Sequence, residues 1–387
     1  MKKYDCIIVG GGIMASSLAF HMRKDGFTGS IAIFERDPMY EYASTPRSEG
    51  GIRLSFSTEV NIQLSRDSLE FYKNFERDMA IDGEQPQIHF TQHGYLYLGT
   101  KDNMSNYIEN AKMQNRLGAH MEELSVEDVQ KFVPELRVED LTGAVFDTDA
   151  GTMDPYTVLQ FFVKNAKSLD VEYIYEAVQS IQAENGKITG IKLESGKEIQ
   201  SSIVVNACGA WSGLMSQTIG IEIPVRPFRY QVYCLDLTKK FTKRVPLTFD
   251  PTGIYFRSEG EKIITGLPHK DPDSFEFVLE KASFEESIWP ILAERSPNFE
   301  QMKLERGWVG LYDYNTIDQN AIIGGHPDMK GYYIITGFSG HGFQQAPAAG
   351  KGLAELICRG KYETIDLSQL SIERFAKNEL ILETAIL

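Results

Sequence analysis

The chain opens with an unbroken apolar run, Asp5-Cys6-Ile7-Ile8-Val9, that ends in three glycines. A strand buried on both faces of a parallel sheet has this pattern. Helical spacing follows from Ile13 to about Lys24, closed by Gly26. A second apolar run, Ser30-Ile31-Ala32-Ile33-Phe34, ends at Glu35-Arg36-Asp37 and completes a βαβ unit. Helical periodicity covers 59–77, strand-like alternation covers about 85–100, and helices are expected over 103–117 and 126–132. Asp154-Pro155 starts another helix that reaches Ala166. Residues 171–206 form a meander, with turns at Asn185-Gly186 and Ser195-Gly196 and a last buried strand through Ile203-Val204-Val205-Asn206-Ala207. Long strands return over 225–267, then strand 332–336, a glycine-rich turn, and a helix from about Ala346 to Cys358.

Buried parallel-type strands thus recur at the start, the middle and the end of the chain. This predicts a discontinuous nucleotide domain (1–82, 150–224 and 311–387) interleaved with a second, sheet-based domain (83–149 and 225–310). The 387 residues and 42% apolar content suffice for such a pair. A net charge of −15 argues against nonspecific nucleic-acid binding, which needs clustered cations. Cys6, Cys208, Cys234 and Cys358 form no C-x-x-C pair, so neither zinc nor a dithiol site is signalled, and their scatter suits a reducing compartment. No apolar run approaches the roughly 20 residues of a membrane span, and no signal peptide precedes the first strand, so the expectation is a cytoplasmic protein.

The first chemical signal is Gly10-x-Gly12-x-x-Ala15 between strand and helix. Gly10 permits the tight turn, Gly12 lets backbone approach a pyrophosphate, and Ala15 keeps the helix near the strand. The helix N-terminus starting at Ile13 aims its free N–H groups at the phosphates. Glu35 is placed to hold both ribose hydroxyls, which favours FAD or NAD over NADP.

Three further segments narrow the reading: Ser48-Glu49-Gly50-Gly51-Ile52-Arg53, Asn206-Ala207-Cys208-Gly209-Ala210-Trp211-Ser212, and Gly337-Phe338-Ser339-Gly340-His341-Gly342-Phe343 followed by Ala346-Pro347-Ala348-Ala349-Gly350. In this order, along the whole chain, they resemble the FAD-dependent amino-acid oxidoreductases (D-amino-acid oxidase, glycine oxidase and sarcosine oxidase), on the sarcosine-oxidase-like side. The resemblance implies a mixed α/β and α+β fold, with a Rossmann-like FAD domain of glutathione-reductase type and a β-sheet substrate domain. It implies FAD contacts from the glycine turn, Glu35, Arg36, Ser48, Gly51, Ile52, Val178, Ala207, Gly209 and Trp211. Arg53 would lie beside the isoalloxazine. Gly340, His341, Gly342, Phe343 and Gln344 would meet the flavin, with backbone N–H groups at its pyrimidine edge, where reduction adds negative charge. His341 is either a flavin contact or a loop histidine satisfied by backbone.

The pattern also departs from that family. Sarcosine oxidases carry a flavin-linking cysteine near Leu311, whereas no cysteine lies between Cys234 and Cys358 here, so the FAD is expected to be non-covalent. The Arg and Lys that hold a sarcosine carboxylate fall at Phe56 and Gln344, and the Arg that glycine oxidase uses near Tyr312 is absent. Phe56 predicts a partly apolar pocket. Arg257, which shares a strand face with Tyr255, is the candidate carboxylate anchor, with Tyr230 and Tyr233 as possible roof residues. The oxygen-activating lysine falls near Ile264, with Lys262 two residues away as a substitute.

The expected reaction is FAD-dependent oxidation of a secondary or N-substituted amino acid, giving an imine that hydrolyses. O2 or another acceptor takes the electrons, and the chain is monomeric or part of a homo- or hetero-oligomer. Two alternatives remain: a flavin-loaded assembly scaffold without turnover, since a respiratory-complex assembly factor resembles the same motif set, and the FAD subunit of an opine or proline dehydrogenase complex.

Overall fold

The computed structural model describes residues 2–384, with 267–272 as backbone. Strands β1 (Cys6–Val9) and β2 (Ile31–Phe34) are buried at every position and pair in parallel from Cys6↔Ile31 to Val9↔Phe34, around helix α1 (Ile13–Lys24). Helix α2 (Glu59–Lys73) stops short of residue 77. At Asn74 the side-chain amide donates to the Glu70 carbonyl at 2.8 Å, taking up an end-of-helix acceptor, and Phe75–Asp78 makes a separate turn.

The alternation over 85–100 yields only strand β3 (Tyr95–Gly99). His89 and Gly94 both take positive φ, and a Cβ at Gly94 would meet the Phe146 ring at 2.0 Å, so the chain bends before it can pair. Helices α3 (Met104–Arg116) and α4 (Val126–Phe132) and strands β4 (Met121–Leu124) and β5 (Gly143–Asp147) follow. Helix α5 (Pro155–Ser168) begins as its sequence dictates: Asp154 Oδ1 accepts the Tyr156 N–H at 3.0 Å, and Pro155 occupies the first turn.

After strand β6 (Val171–Ile174) comes the meander β7 (Val178–Glu184), β8 (Lys187–Leu193) and β9 (Glu198–Gln200). Its first turn has Asn185 and Gly186 both at positive φ, as a two-residue hairpin turn requires. Then come β10 (Val204–Asn206), β11 (Val225–Leu237), β12 (Leu247–Phe249), β13 (Tyr255–Glu259), β14 (Lys262–Pro272), β15 (Met302–Asn315), β16 (Ile322–Gly325) and β17 (Tyr332–Thr336). Helix α6 (Gly342–Arg359) starts four residues before the Ala346 expected from sequence, because the glycine-rich turn ends at His341 and Gly342 is already helical.

The central sheet has the order β16-β17-β10-β1-β2-β6, parallel except for the antiparallel edge β16. Helices α1, α2, α5 and α6 share one apolar core with one face of this sheet. Helices α1 and α6 approach closely: a Cβ at Gly350 would meet Ser17 Oγ at 2.4 Å, and Ser17 Oγ donates to the Ala346 carbonyl at 2.8 Å. The second large sheet has the order β15-β11-β14-β13-β12-β3-β5-β4. Strand β15 runs unbroken through residues 310 and 311, where the domain boundary was expected, so one strand carries the second sheet toward the first. The C-terminal ends of β1, β2 and β10 and the aromatic face of β11, β13 and β15 then enclose a single cavity.

Candidate active site

The cavity has a volume of about 450 Å³ and extends from the β1–α1 turn to the second sheet. Gly10 and Gly12 line its floor, and the three glycines of the turn have different surroundings. At Gly10, with φ +93°, a Cβ would meet the Ala207 carbonyl oxygen at 2.5 Å. At Gly11 it would strike the Glu35 side chain at 2.8 Å. At Gly12 it would meet nothing within 4 Å, because that position faces the cavity. The open side of Gly12, at the N-terminus of α1, is the kind of cradle a pyrophosphate fills. Ala15 is fully buried and holds helix to sheet instead of lining the cavity.

Glu35 closes this end. Its Oε2 accepts the Gly11 N–H at 2.7 Å and its Oε1 accepts the Asp37 N–H at 2.9 Å. Burial raises its pKa, while those two amides pull it down. Beside it the Arg36 guanidinium lies 4.0 Å from the Trp211 ring centroid, and Trp211 stacks on Phe275 with centroids 5.3 Å apart. Val178, Ala207 and Gly209 line the same end, as do Cys208, Leu214 and Met215. The residues expected around a dinucleotide from four separate stretches of chain thus meet at one wall.

At the other end Ser48, Gly51, Arg53, Tyr255, Gly340, His341, Gly342, Phe343 and Gln344 line the cavity. The Arg53 N–H donates to Gln344 Oε1 at 2.8 Å, which ties the Gly51–Arg53 segment to the first turn of α6. The Arg53 guanidinium sits 3.9 Å from the Phe56 ring centroid and donates to the Ser55 carbonyl. Ile52 is fully buried in the core behind this loop. His341 precedes α6 and is 3% exposed; Nδ1 lies 3.0 Å from Gln345 Oε1. Burial lowers its pKa to about 4, so the ring is neutral near pH 7.

Tyr95, Tyr230, Tyr255 and Tyr312 form the roof around Phe249. Tyr230 stacks on Tyr312 at 4.8 Å and on Tyr255 at 6.2 Å. Tyr312 covers Gly340 so closely that a Cβ there would enter its ring. Tyr233 turns away, as strand alternation requires relative to Tyr230 and Val232, and its hydroxyl donates to the Glu280 carbonyl at 2.8 Å.

Several candidates lie elsewhere. Phe56 does not line the cavity; it is completely buried under Arg53 and edge-on to His341, so the pocket's apolar character comes from the roof instead. Arg257 shares the Tyr255 face but lies beyond the cavity wall, between Glu49 and Glu259. Lys262 sits at the strand end, 40% exposed, and pairs with Glu305. The sequence reading passed over Glu49, which lines the cavity and accepts the Tyr255 hydroxyl. Its signal was a lone carboxylate held in a glycine-rich apolar loop.

Three comparisons bear on this site. The FAD-dependent oxidoreductase domain-containing protein 1 of Bos taurus is 34% identical over 100% of this chain and 87% of its own length. Glycine oxidase of Bacillus licheniformis is 26% identical over 96% of this chain and 98% of its own. The crystal structure of L-proline dehydrogenase from P. horikoshii matches with a TM-score of 0.86 at 28% identity, covering 98% of this chain and 100% of that one. The family described as FAD dependent oxidoreductase (DAO) matches residues 5–356, and the cavity offers a dinucleotide cradle to go with it. The chain belongs to the DAO family of FAD-dependent oxidoreductases, related to amino-acid oxidases and dehydrogenases.

Proposed function

We propose that this protein oxidises a secondary or N-substituted amino acid of the sarcosine, dimethylglycine, opine or proline kind at the carbon next to nitrogen. The observation that carries the reading is the continuity of the cavity: a dinucleotide cradle at Gly12 and Glu35 opens into a tyrosine-roofed chamber beside Arg53 and Gln344. Glycine oxidase and L-proline dehydrogenase, whose names report amino-acid oxidation, support the same class.

When bound, FAD supplies the two-electron acceptor for that carbon–hydrogen bond. The Gly12 turn and the α1 N-terminus would hold its pyrophosphate, Glu35 its ribose, and the Gly340–Gly342 amides its pyrimidine edge. Binding would be non-covalent. Cys208 is the cysteine that lines the cavity, at the Glu35 end, and its thiol faces the Val9 carbonyl at 3.2 Å. The tyrosine roof would shield the reacting carbon, and the amine must be neutral before it reacts. The electron acceptor is O2 or another acceptor.

The test is an anaerobic absorbance titration of the purified protein with N-methyl and N-carboxyalkyl amino acids, proline and D-amino acids. Bleaching of the flavin band by one class is expected, and admitting air then separates oxidase from dehydrogenase. A yellow protein that no amine bleaches would overturn the reading in favour of a flavin-loaded scaffold.

A further inference from the structure

The loop Ser48–Gly51 brings a carboxylate into the roofed end of the cavity, and its surroundings are specific. Glu49 Oε1 accepts the Tyr255 hydroxyl. Its Oε2 is buried and accepts no hydrogen bond, although Arg257 Nε lies 3.4 Å away. Arg257 also pairs with Glu259, so two carboxylates share one guanidinium. Tyr95, Tyr230, Tyr255 and Tyr312 surround the same space with aromatic faces and hydroxyls. The cations that line the cavity are each stacked on a ring: Arg36 over Trp211, Arg47 over Phe277, and Arg53, beside the roofed end, over Phe56.

An acid held by one tyrosine hydroxyl and by a guanidinium it shares with a second carboxylate, inside a ring of electron-rich faces, attracts a cation that carries hydrocarbon. The carboxylate supplies charge and a hydrogen-bond acceptor, and the ring faces attract N-alkyl groups that share the positive charge. A small carboxylate would meet the opposite field at this position. This end of the cavity therefore suits a substrate's nitrogen better than its carboxylate.

We propose that Glu49 and the tyrosines around it form the recognition site for the substrate's nitrogen, taken as an N-alkylated ammonium, and that the Glu49 carboxylate receives the proton this ammonium must lose before oxidation. The inference rests on the amine-oxidation reading and names its substrate class. The step is a proton transfer: one N–H bond breaks, one O–H bond forms on Glu49, and the products are a neutral amine and a neutral acid. No electrons change hands in it. Burial raises the basicity of Glu49, which suits it to take a proton, whereas Arg257 and the Tyr255 hydroxyl keep it ionised beforehand. The charged and titratable groups that face it are Tyr255, Arg257 and Glu259 from β13, Tyr230 from β11, Tyr312 from β15 and Tyr95 from β3.

The experiment measures binding of tetramethylammonium and of acetate to the flavin-loaded protein, by perturbation of flavin absorbance and by calorimetry, across pH 4 to 9. Tetramethylammonium has no N–H and cannot be oxidised, so it reports recognition alone. Glu49→Gln is expected to weaken tetramethylammonium roughly tenfold or more, the size of a lost charge-assisted contact, without weakening acetate. Tyr255→Phe keeps the ring but removes the donor that favours the ionised acid. It is expected to raise the pH below which tetramethylammonium binding is lost, a shift that a merely structural role would not produce. Equal tetramethylammonium affinity in the wild type and Glu49→Gln overturns the proposal. If Glu49→Gln does not fold, an unmoved pH midpoint in Tyr255→Phe overturns it. Amine bleaching with tetramethylammonium binding independent of Glu49 would sink this site alone. Binding that depends on Glu49, with no amine bleaching, would sink the turnover reading alone.

Discussion

The Gly11 amide donates to Glu35 Oε2 at 2.7 Å, so the acid that ends β2 also braces the glycine turn that follows β1. One oxygen is occupied by the turn and the other by the Asp37 amide, which fixes the carboxylate's plane against the cavity. Glu35 and the glycine turn are therefore one mechanical unit.

Glu35→Gln keeps the shape but replaces one acceptor oxygen with an amide that donates. Weaker FAD retention by roughly tenfold is expected, from the loss of charge-assisted hydrogen bonds. Flavin fluorescence released on dilution measures it. Retention equal to wild type would remove Glu35 from the cofactor site.

Gly10 and Gly12 separate folding from binding. Gly10→Ala places a methyl against the Ala207 carbonyl at a left-handed backbone angle and should destabilise the fold by about 1–3 kcal/mol. Gly12→Val projects into open cavity, so the melting temperature of the flavin-free protein should hold while FAD is no longer retained. Denaturant unfolding and the absorbance ratio of the purified variants distinguish the two.

Arg374 and Asp318 form a buried two-contact ion pair, at 2.7 Å from Nε and 2.9 Å from Nη2, with side chains 2% and 0% exposed. Arg374→Ala would leave Asp318 buried without its counter-charge, a loss of about 3–5 kcal/mol. The same guanidinium bonds the Asn320 carbonyl at 3.0 Å, so the segment between β15 and β16 should loosen first in hydrogen exchange.

His341 links stability to acid. Its pKa falls from an ordinary 6.5 to about 4 on folding, so the unfolded chain binds the proton more readily. The stability it contributes is complete above pH 6.5 and is lost as pH falls through the window down to about 4. Asp147, raised by burial to about 6, acts in the opposite direction over the same range. His341→Gln should therefore flatten the acid side of the melting-temperature profile of the flavin-free protein. An unchanged slope would place the His341 ring in contact with water.

Local pattern alone determined the βαβ opening, the exact span of α1, the start of α5 at its Asp154-Pro155 signal, and the dinucleotide motif. These depend on neighbours within a few residues, so periodicity and capping carry them. The break at Asn74 rests on a local contact to the Glu70 carbonyl that apolar periodicity does not register, whereas the bend before Tyr95 was hidden because the Phe146 ring, distant in sequence, decides it. The same reason explains the substrate end. Arg257 and Lys262 could each be assigned to one strand face from the sequence, and Phe56 to a family position, but where the cavity stops depends on how the second sheet lies over the first. Only the tertiary structure placed Arg257 behind Glu49 and Lys262 at the rim, and only it brought Glu49 under a roof of tyrosines from four strands. Sequence period fixes the side of an element on which a residue falls; the packing of distant elements decides what that side meets.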